Sequence, residues 1–254
     1  MASKEQSVTL LRRNKRAQVE ALNSLGFKLT EGVRAADFPM YVRWGAGLLD
    51  VNVAANRRSD NKRFFFTAGE WQSLSATEQG LFLLRGVRVR AWGQSFVIAP
   101  DNIPNKAWGA RMAVTDSHPF QSKRDTYRFY DALEETRNVA TVLAGQAENG
   151  VIGAPAAEAA LAYKVFTLKR DGLEDDTEWC QPTIAHLVIM FRFRAEIEAL
   201  FTAVWSAEFR FLPKVYWSCC SWDANSAYRL DFNTGTSYLD NKNNLAVVRP
   251  ISLN

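Results

Sequence analysis

Histidine is almost missing from this chain: His118 and His186 are the only two in 254 residues. That leaves no material for a histidine-rich zinc site and little for a Ser-His-Asp triad, which needs an imidazole between nucleophile and acid. His186 falls on an expected helix and reads as a partly buried structural histidine; His118, beside Pro119, lies in an expected loop. Cysteine is scarce too. Cys180, Cys219 and Cys220 make no disulfide framework, and chain neighbours pair only through strained geometry, so the reduced state is expected. No Walker-type phosphate loop and no dinucleotide fingerprint is present. No apolar run is long enough to span a bilayer, and the opening MASKEQSVTLLRRNKRAQ lacks a signal-peptide core. The expectation is a soluble protein, assembled in a cytoplasm and not exported by the ordinary secretory route.

What the chain has in quantity is core-forming material, 47% hydrophobic and 12% aromatic residues, enough for one large domain or two modest ones. Its net charge of +4 is spread among interleaved acids and bases, except for Arg12, Arg13, Lys15 and Arg16. With no RNA- or DNA-binding motif beside it, that run reads as a solvated helix face or an assembly contact, and no nucleic-acid partner is expected. Glu174, Asp175, Asp176 and Glu178 lack the regular spacing of a calcium loop; they precede a helix, where negative charge opposes the dipole favourably. Cys219 and Cys220 lack a third soft ligand nearby and, on a strand, point to opposite faces, so they read as small buried residues. No catalytic residue, metal ligand or cofactor is assigned.

The patterning predicts an α+β protein. Helices are expected over residues 7–25 and 35–49, and between Phe64 and Gly86, where Ser75 and Glu78 form a capping box and Gly86 is the stop. VRVRAWGQSFVIA alternates as a strand pair with a hairpin at Trp92-Gly93, Val87 and Val89 inward and Arg88 and Arg90 outward. Residues 100–119, punctuated by prolines, read as loop. Helices are expected over 125–147 and 154–168, and from Pro182 in a first turn to Val204 with a break near Arg192–Arg194. The last forty residues read as strands: Tyr216-Trp217 opens one, and Tyr228, Leu230 and Phe232 alternate inward, leaving Ala227, Arg229 and Asp231 outward. Asn233-Thr-Gly235 is a turn, and Leu245 to Ile251 a closing strand.

Acidic residues before Glu178-Trp179, then Pro182-Thr183, Leu187, Ile197, Tyr216-Trp217-Ser218, Phe232, Gly235, Lys242 and Val248-Arg249-Pro250 together resemble a C-type-lectin-like domain. The resemblance covers about residues 170–251 and is nearest to bacterial and phage modules of that superfamily. Three positions depart from its pattern: Gln181 stands for the usual Leu, His186 for Glu, and Cys219 for the second Ser of Tyr-Trp-Ser-Ser. The tail also resembles the variable region of a diversity-generating retroelement target protein, in which adenine-directed mutagenesis rewrites Asn codons. Between Cys219 and Val247 only Trp222 and Lys242 are residues that such rewriting of AAC cannot produce, and Asn225, Asn233, Asn241, Asn243 and Asn244 look unmutated. The leading part, with ADFPMYVRWGAGLLDVNVAANR, is similar to the N-terminal part of such proteins in phages.

The resemblance implies a helical N-terminal region over 1–85, serving as an assembly segment, and a C-type-lectin-like ligand-binding domain over 86–254 with its variable region at about 216–251. It implies a non-enzymatic receptor-binding or tail-fibre tip protein of a phage or prophage, a virion component that grips a bacterial cell-surface protein or glycan. A homotrimer, or attachment to other virion proteins, goes with that; membrane insertion does not. The implied binding surface joins Cys220, Ser221, Trp222, Asp223, Ser226, Arg229 and Asp231 to Thr236, Tyr238, Leu239, Asp240, Leu245 and Val247. Tyr238, Leu239, Leu245 and Val247 also suit a core. The competing enzyme reading is a formylglycine-generating-type oxidase, a more distant member of the same fold, which would bind copper through cysteines.

Overall fold

The computed structural model describes residues 49–114, 128–165, 177–205 and 209–253. The chain divides into two compact units, Met1–Leu49 with Ala91–Gly93 and Asp50–Arg90 with Gln94–Asn254. In the first, the described residues are Leu49, the end of a strand at Ala91, and Trp92-Gly93, both at positive φ as a tight hairpin turn requires. The helices expected over 7–25 and 35–49, the basic run at Arg12–Arg16, His118, and Glu174 to Asp176 lie outside the described residues, Leu49 apart.

The second unit is mixed α+β, mostly sheet. Its first part runs β1 (Asp50–Arg57), β2 (Arg63–Phe66), α1 (Ala68–Ser73), α2 (Ala76–Gln79), β3 (Phe82–Ala91), β4 (Gln94–Ile98) and β5 (Ile103–Ala107). Then come α3 (Ala132–Leu143), β6 (Ala147–Glu148), β7 (Val151–Ile152), α4 (Pro155–Leu161), α5 (Ile184–Arg192) and α6 (Arg194–Val204). The chain closes with β8 (Val215–Ser221), β9 (Ser226–Asp231), β10 (Ser237–Asn241), β11 (Leu245–Val248) and β12 (Ile251–Ser252). The first sheet has the order β12-β4-β3-β1-β2, the second β10-β9-β8-β11-β5, and β6 pairs with β7 alone. Among the described residues no helix is long and apolar enough to cross a membrane.

Several expectations are corrected. The capping box at Ser75 forms, its hydroxyl accepting from the Glu78 amide while the Glu78 carboxylate accepts from the Ser75 amide, but the helix it starts ends at Gly80. A second box, Thr67 with Glu70, starts α1. The stretch from Phe64 to Gly86 therefore holds strand residues and two short helices, and a boundary at residue 85 falls inside β3. Gly86 stops no helix: a Cβ there would lie 2.0 Å from the Ile98 carbonyl oxygen, so it lets β4 approach β3. The loop expected over 100–119 contains β5, an edge strand that tolerates Pro104 and bends at Asn105, where φ is 51°. Helices α3 and α4 are shorter than expected, and Pro182 precedes the N-cap, Thr183, instead of lying in the first turn.

Other expectations match. Val87 and Val89 are fully buried, Arg90 is exposed, and the helix after Pro182 breaks at Phe193 between α5 and α6. The closing strand is split. β11 joins the second sheet and β12 the first, with Arg249-Pro250 carrying the chain between them. Arg249 is buried there; its guanidinium carbon lies 4.8 Å and 5.0 Å from the Phe201 and Phe211 ring centroids, and Nη2 donates to the Phe209 carbonyl at 2.9 Å. Reciprocal backbone bonds between Cys180 and Ile251, 2.8 and 2.9 Å, tie the approach to α5 to the same crossover.

Candidate functional site

The second sheet is packed on both faces. Trp217 and Ala227 face a cluster with Trp108, Val139, Leu143 and alanines of α4; Tyr216, Leu230 and Phe232 lie on the other face, where Phe191 of α5 meets Phe232 edge-on at 5.6 Å. Burying this much aromatic surface holds the strands rigidly. Ala227, expected outward, is fully buried in the first of these clusters.

Between Trp217 and Ser221 the β8–β9 register shifts, so the chain at Ser218–Cys220 leaves the ladder. The Ser218 hydroxyl donates to the Tyr228 carbonyl of β9 at 2.7 Å, and other polar groups of the segment are met from outside the sheet. The Ser218 carbonyl accepts from the Trp108 indole at 2.7 Å and the Gln181 amide at 2.8 Å, while the Cys219 amide donates to the Pro182 carbonyl at 2.8 Å. Trp217 Nε1 donates to Lys106 O at 3.0 Å. Trp108 and Gln181 thus anchor the irregular segment. Trp108 does not stand out in the sequence, because it lies in a stretch without clear periodicity; Gln181 stands out there only as a departure from the resemblance, with no partner to explain it.

The thirteen residues of the implied surface do not share one face. Cys220, Ser221 and Val247 are buried, a correction that follows from the bulge and from β11 lying between β8 and β5. Trp222, Asp223, Thr236 and Leu245 are exposed; Ser226, Arg229, Asp231, Tyr238, Leu239 and Asp240 are half-buried. Register puts Trp217, Arg229 and Tyr238 in one cross-strand row. The Arg229 guanidinium carbon is 4.6 Å from the Tyr238 ring centroid and 5.5 Å from that of Trp217, and Arg229 pairs with Asp240. Asp240 also accepts from Asn244 Nδ2 at 2.9 and 3.0 Å. Trp222 instead meets the edge of Tyr228, whose side chain lies on the opposite face of β9 from Arg229, with ring centroids 5.7 Å apart.

The turns have their own chemistry. Asp223 Oδ1 accepts from the Asn225 and Ser226 amides at 2.8 and 2.6 Å, and Asp231 Oδ1 accepts from the Asn233 amide at 2.7 Å. Both aspartates therefore hold turns closed, at opposite ends of β9. Gly235, at φ 73°, completes the second turn, and a Cβ there would lie 2.3 Å from Phe191 Cε1.

Lys242 follows β10 and is fully buried; its amine donates to the Met112 carbonyl at 2.9 Å and lies 4.5 Å from the Trp108 ring centroid. Burial lowers its pKa to about 8, against an opposing pull from Asp223. Between that pH and its ordinary 10.5 the unfolded chain holds more protons at this group than the folded one, so stability rises with pH across the window. Lys242→Met is expected to remove that rise, as read by urea unfolding at pH 7, 9 and 10.

All three cysteines are free and buried. Desolvation raises the Cys180 and Cys219 thiols well above the usual range, favouring the protonated form. Among the described residues no three His, Cys, Asp or Glu side chains form a metal-ligating cluster. His186 is buried against Phe96 and Tyr130, with Nδ1 2.9 Å from the Thr183 hydroxyl, and burial lowers its pKa to about 3. It is the structural histidine expected, though buried completely. Compared with known proteins, the chain matches no family model, no curated protein and no solved structure.

Proposed function

We propose that this is a non-enzymatic ligand-binding protein whose second sheet, with its turns, displays an exchangeable surface, and that the sheet belongs to a C-type-lectin-like domain. The observation that carries this reading is the contrast along the strands. Trp222 is 38% exposed and Leu245 63%, and Tyr238 is half-buried, beside strand positions that are fully buried. Side chains on such a platform change without removing core, and binding residues concentrate where a rigid scaffold presents them. The surface centres on Arg229, Tyr238 and Asp240 on one face of the sheet, while Trp222 is presented from the β8–β9 turn toward the other face, against Tyr228. Cys220, Ser221 and Val247 form no part of it.

In this reading the chain is a receptor-binding or tail-fibre tip protein of a phage virion, made in the bacterial cytoplasm, homotrimeric or attached to other virion proteins. Its partner is a bacterial cell-surface protein or glycan. The composition of residues 219–247 supports diversification by a retroelement. The copper-oxidase alternative needs accessible thiolates, whereas burial favours the thiol form of Cys180 and Cys219.

Binding of the fluorescently labelled chain to a panel of bacterial cells tests the proposal. One strain or more is expected to bind saturably. Trp222→Ala or Tyr238→Ala is expected to weaken that binding about 30-fold, the equivalent of about 2 kcal/mol at an interface hot spot. The double change Cys219→Ser with Cys220→Ser, in a chain shown to fold, is expected to leave it intact. Unaltered binding in both aromatic variants would remove the surface from consideration, and copper-dependent turnover lost in the cysteine variant would establish the enzyme.

A further inference from the structure

We propose that β2, the outer strand of the first sheet, pairs antiparallel with β2 of a second copy of this chain and so joins two first sheets edge to edge. The backbone is arranged for it. The Arg57 amide donates to the Lys62 carbonyl at 2.8 Å, which sets the alternation of the β1–β2 ladder. Opposite residues of an antiparallel pair exchange bonds at every second position, so Phe64 with Ala55 and Phe66 with Val53 are the bonded pairs. The N–H and C=O groups of Arg63 and Phe65 therefore point away from β1, and among the described residues no strand lies on that side. Such a row is a template for another strand.

The strand is held ready to pair. Phe64 and Phe66 pack on Phe82 with ring centroids 5.3 and 5.0 Å away, and Phe66 lies 5.5 Å from Trp71. Arg63 and Phe65 are exposed on the other face, where the Arg88 guanidinium carbon sits 3.9 Å from the Phe65 ring centroid. Other edges are blunted: β5 carries Pro104, β12 spans only Ile251–Ser252, and in β10 the Asn241 carbonyl already accepts from the Asn244 amide. β2, with the sequence RFFF, holds neither proline nor acid.

Side-chain chemistry selects a second copy as the occupant and fixes the register. With Phe64 opposite Phe64 of the second copy at a two-fold axis, Arg63 comes opposite Phe65 and Lys62 opposite Phe66. Each cation then meets an aromatic ring, and the outward groups of Arg63 bond those of Phe65. A pairing centred on Arg63 would oppose like charges. One centred on Phe65 would set Arg63 against Thr67, whose amide already donates to Glu70. The contact lies on the first sheet, apart from the ligand surface proposed on the second, and any assembly formed through other residues would be doubled by it.

The ladder is short and its contact small, so association is expected to be weak, and sedimentation velocity of the full chain over about 1–300 µM provides the test. The wild type is expected to reach twice the mass of the Phe65→Lys variant, in which an amine faces Arg63 of the other copy and weakens pairing at least about tenfold. Phe65→Pro withholds an N–H that β1 does not use and is expected to give the same loss by another route. Adding Arg63→Glu to Phe65→Lys sets a carboxylate opposite each amine and is expected to restore the larger species. Phe65 and Arg63 are exposed, so the melting curves of the variants are expected to match that of the wild type. Equal masses for the wild type and the folded Phe65 variants, or no recovery in the double variant, overturns the proposal.

Discussion

Gly86→Ala is expected to destabilise the protein by about 3 kcal/mol or more, one of the largest effects of any single methyl group in this fold. The new Cβ would lie 2.0 Å from the Ile98 carbonyl oxygen and 3.0 Å from its carbon, and backbone cannot swing aside as a long side chain can. Relief requires β4 to move off β3. Ile98 also pairs with Ile251 of β12, so the displacement reaches the crossover between the sheets. Gly69→Ala is the control: it lies in α1 with nothing within 4 Å of the new atom, and gains about 0.5–1 kcal/mol from helix propensity. Urea unfolding of the two variants beside the wild type measures both.

Acid is expected to unfold the wild type with a contribution from His186 of a few kcal/mol, the second large effect. Folding lowers the pKa of this histidine from 6.5 to about 3, because a charged imidazole would be desolvated beside Phe96 and Tyr130. The unfolded chain therefore binds the proton first. Its contribution is constant above pH 6.5 and is lost progressively as the pH falls from there toward 3. Carboxylates engaged in the fold add their own losses lower down, as with Asp60, whose pKa Arg57 helps to hold near 2. The difference between wild type and His186→Gln isolates the histidine, since the His186 backbone amide that caps on Thr183 is unchanged and Gln is a residue suited to the N3 position of α5. The variant is expected to show a flatter decline between pH 6.5 and 4; parallel curves would assign the acid sensitivity elsewhere.

His186 also illustrates how far sequence reaches. Its near-isolation and helical setting point to a structural role, and the Thr183 hydroxyl, 2.9 Å from Nδ1, gives that role a form: the imidazole stands at the third position of α5, over its N-cap. The alternation at Val87 and Val89, the break at Phe193 and the turn at Gly235 were legible for the same reason, since local sequence alone dictates them. What could not be read depends on distant partners. Gly86 looks like a helix stop until Ile98 is placed against it. Cys220 and Ser221 follow an outward alternation only if β8 is regular, and the bulge at Ser218–Cys220 is fixed by Trp108, Gln181 and Pro182 from elsewhere in the chain.

The asparagines gain a second meaning. Asn233 donates to Asp231, Asn241 Oδ1 accepts from the Asn243 amide, and Asn244 bonds Asp240. Turn chemistry therefore favours asparagine at these positions whatever the history of their codons. Asp223 and Asp231 are constrained in the same way and Arg229 and Asp240 are tied to each other, so the freely exchangeable positions are Trp222, Thr236, Tyr238 and Leu245, set around that ion pair.

Saturation mutagenesis across residues 216–248, with selection for chains that survive protease, tests the idea of an exchangeable skin over a fixed platform most directly. Trp222, Thr236, Tyr238 and Leu245 are predicted to accept most residue types, Asp223 and Asp231 only turn formers, and Trp217, Ala227, Leu230 and Val247 almost nothing but themselves. Equal depletion at Trp222 or Tyr238 and at Trp217 would contradict it.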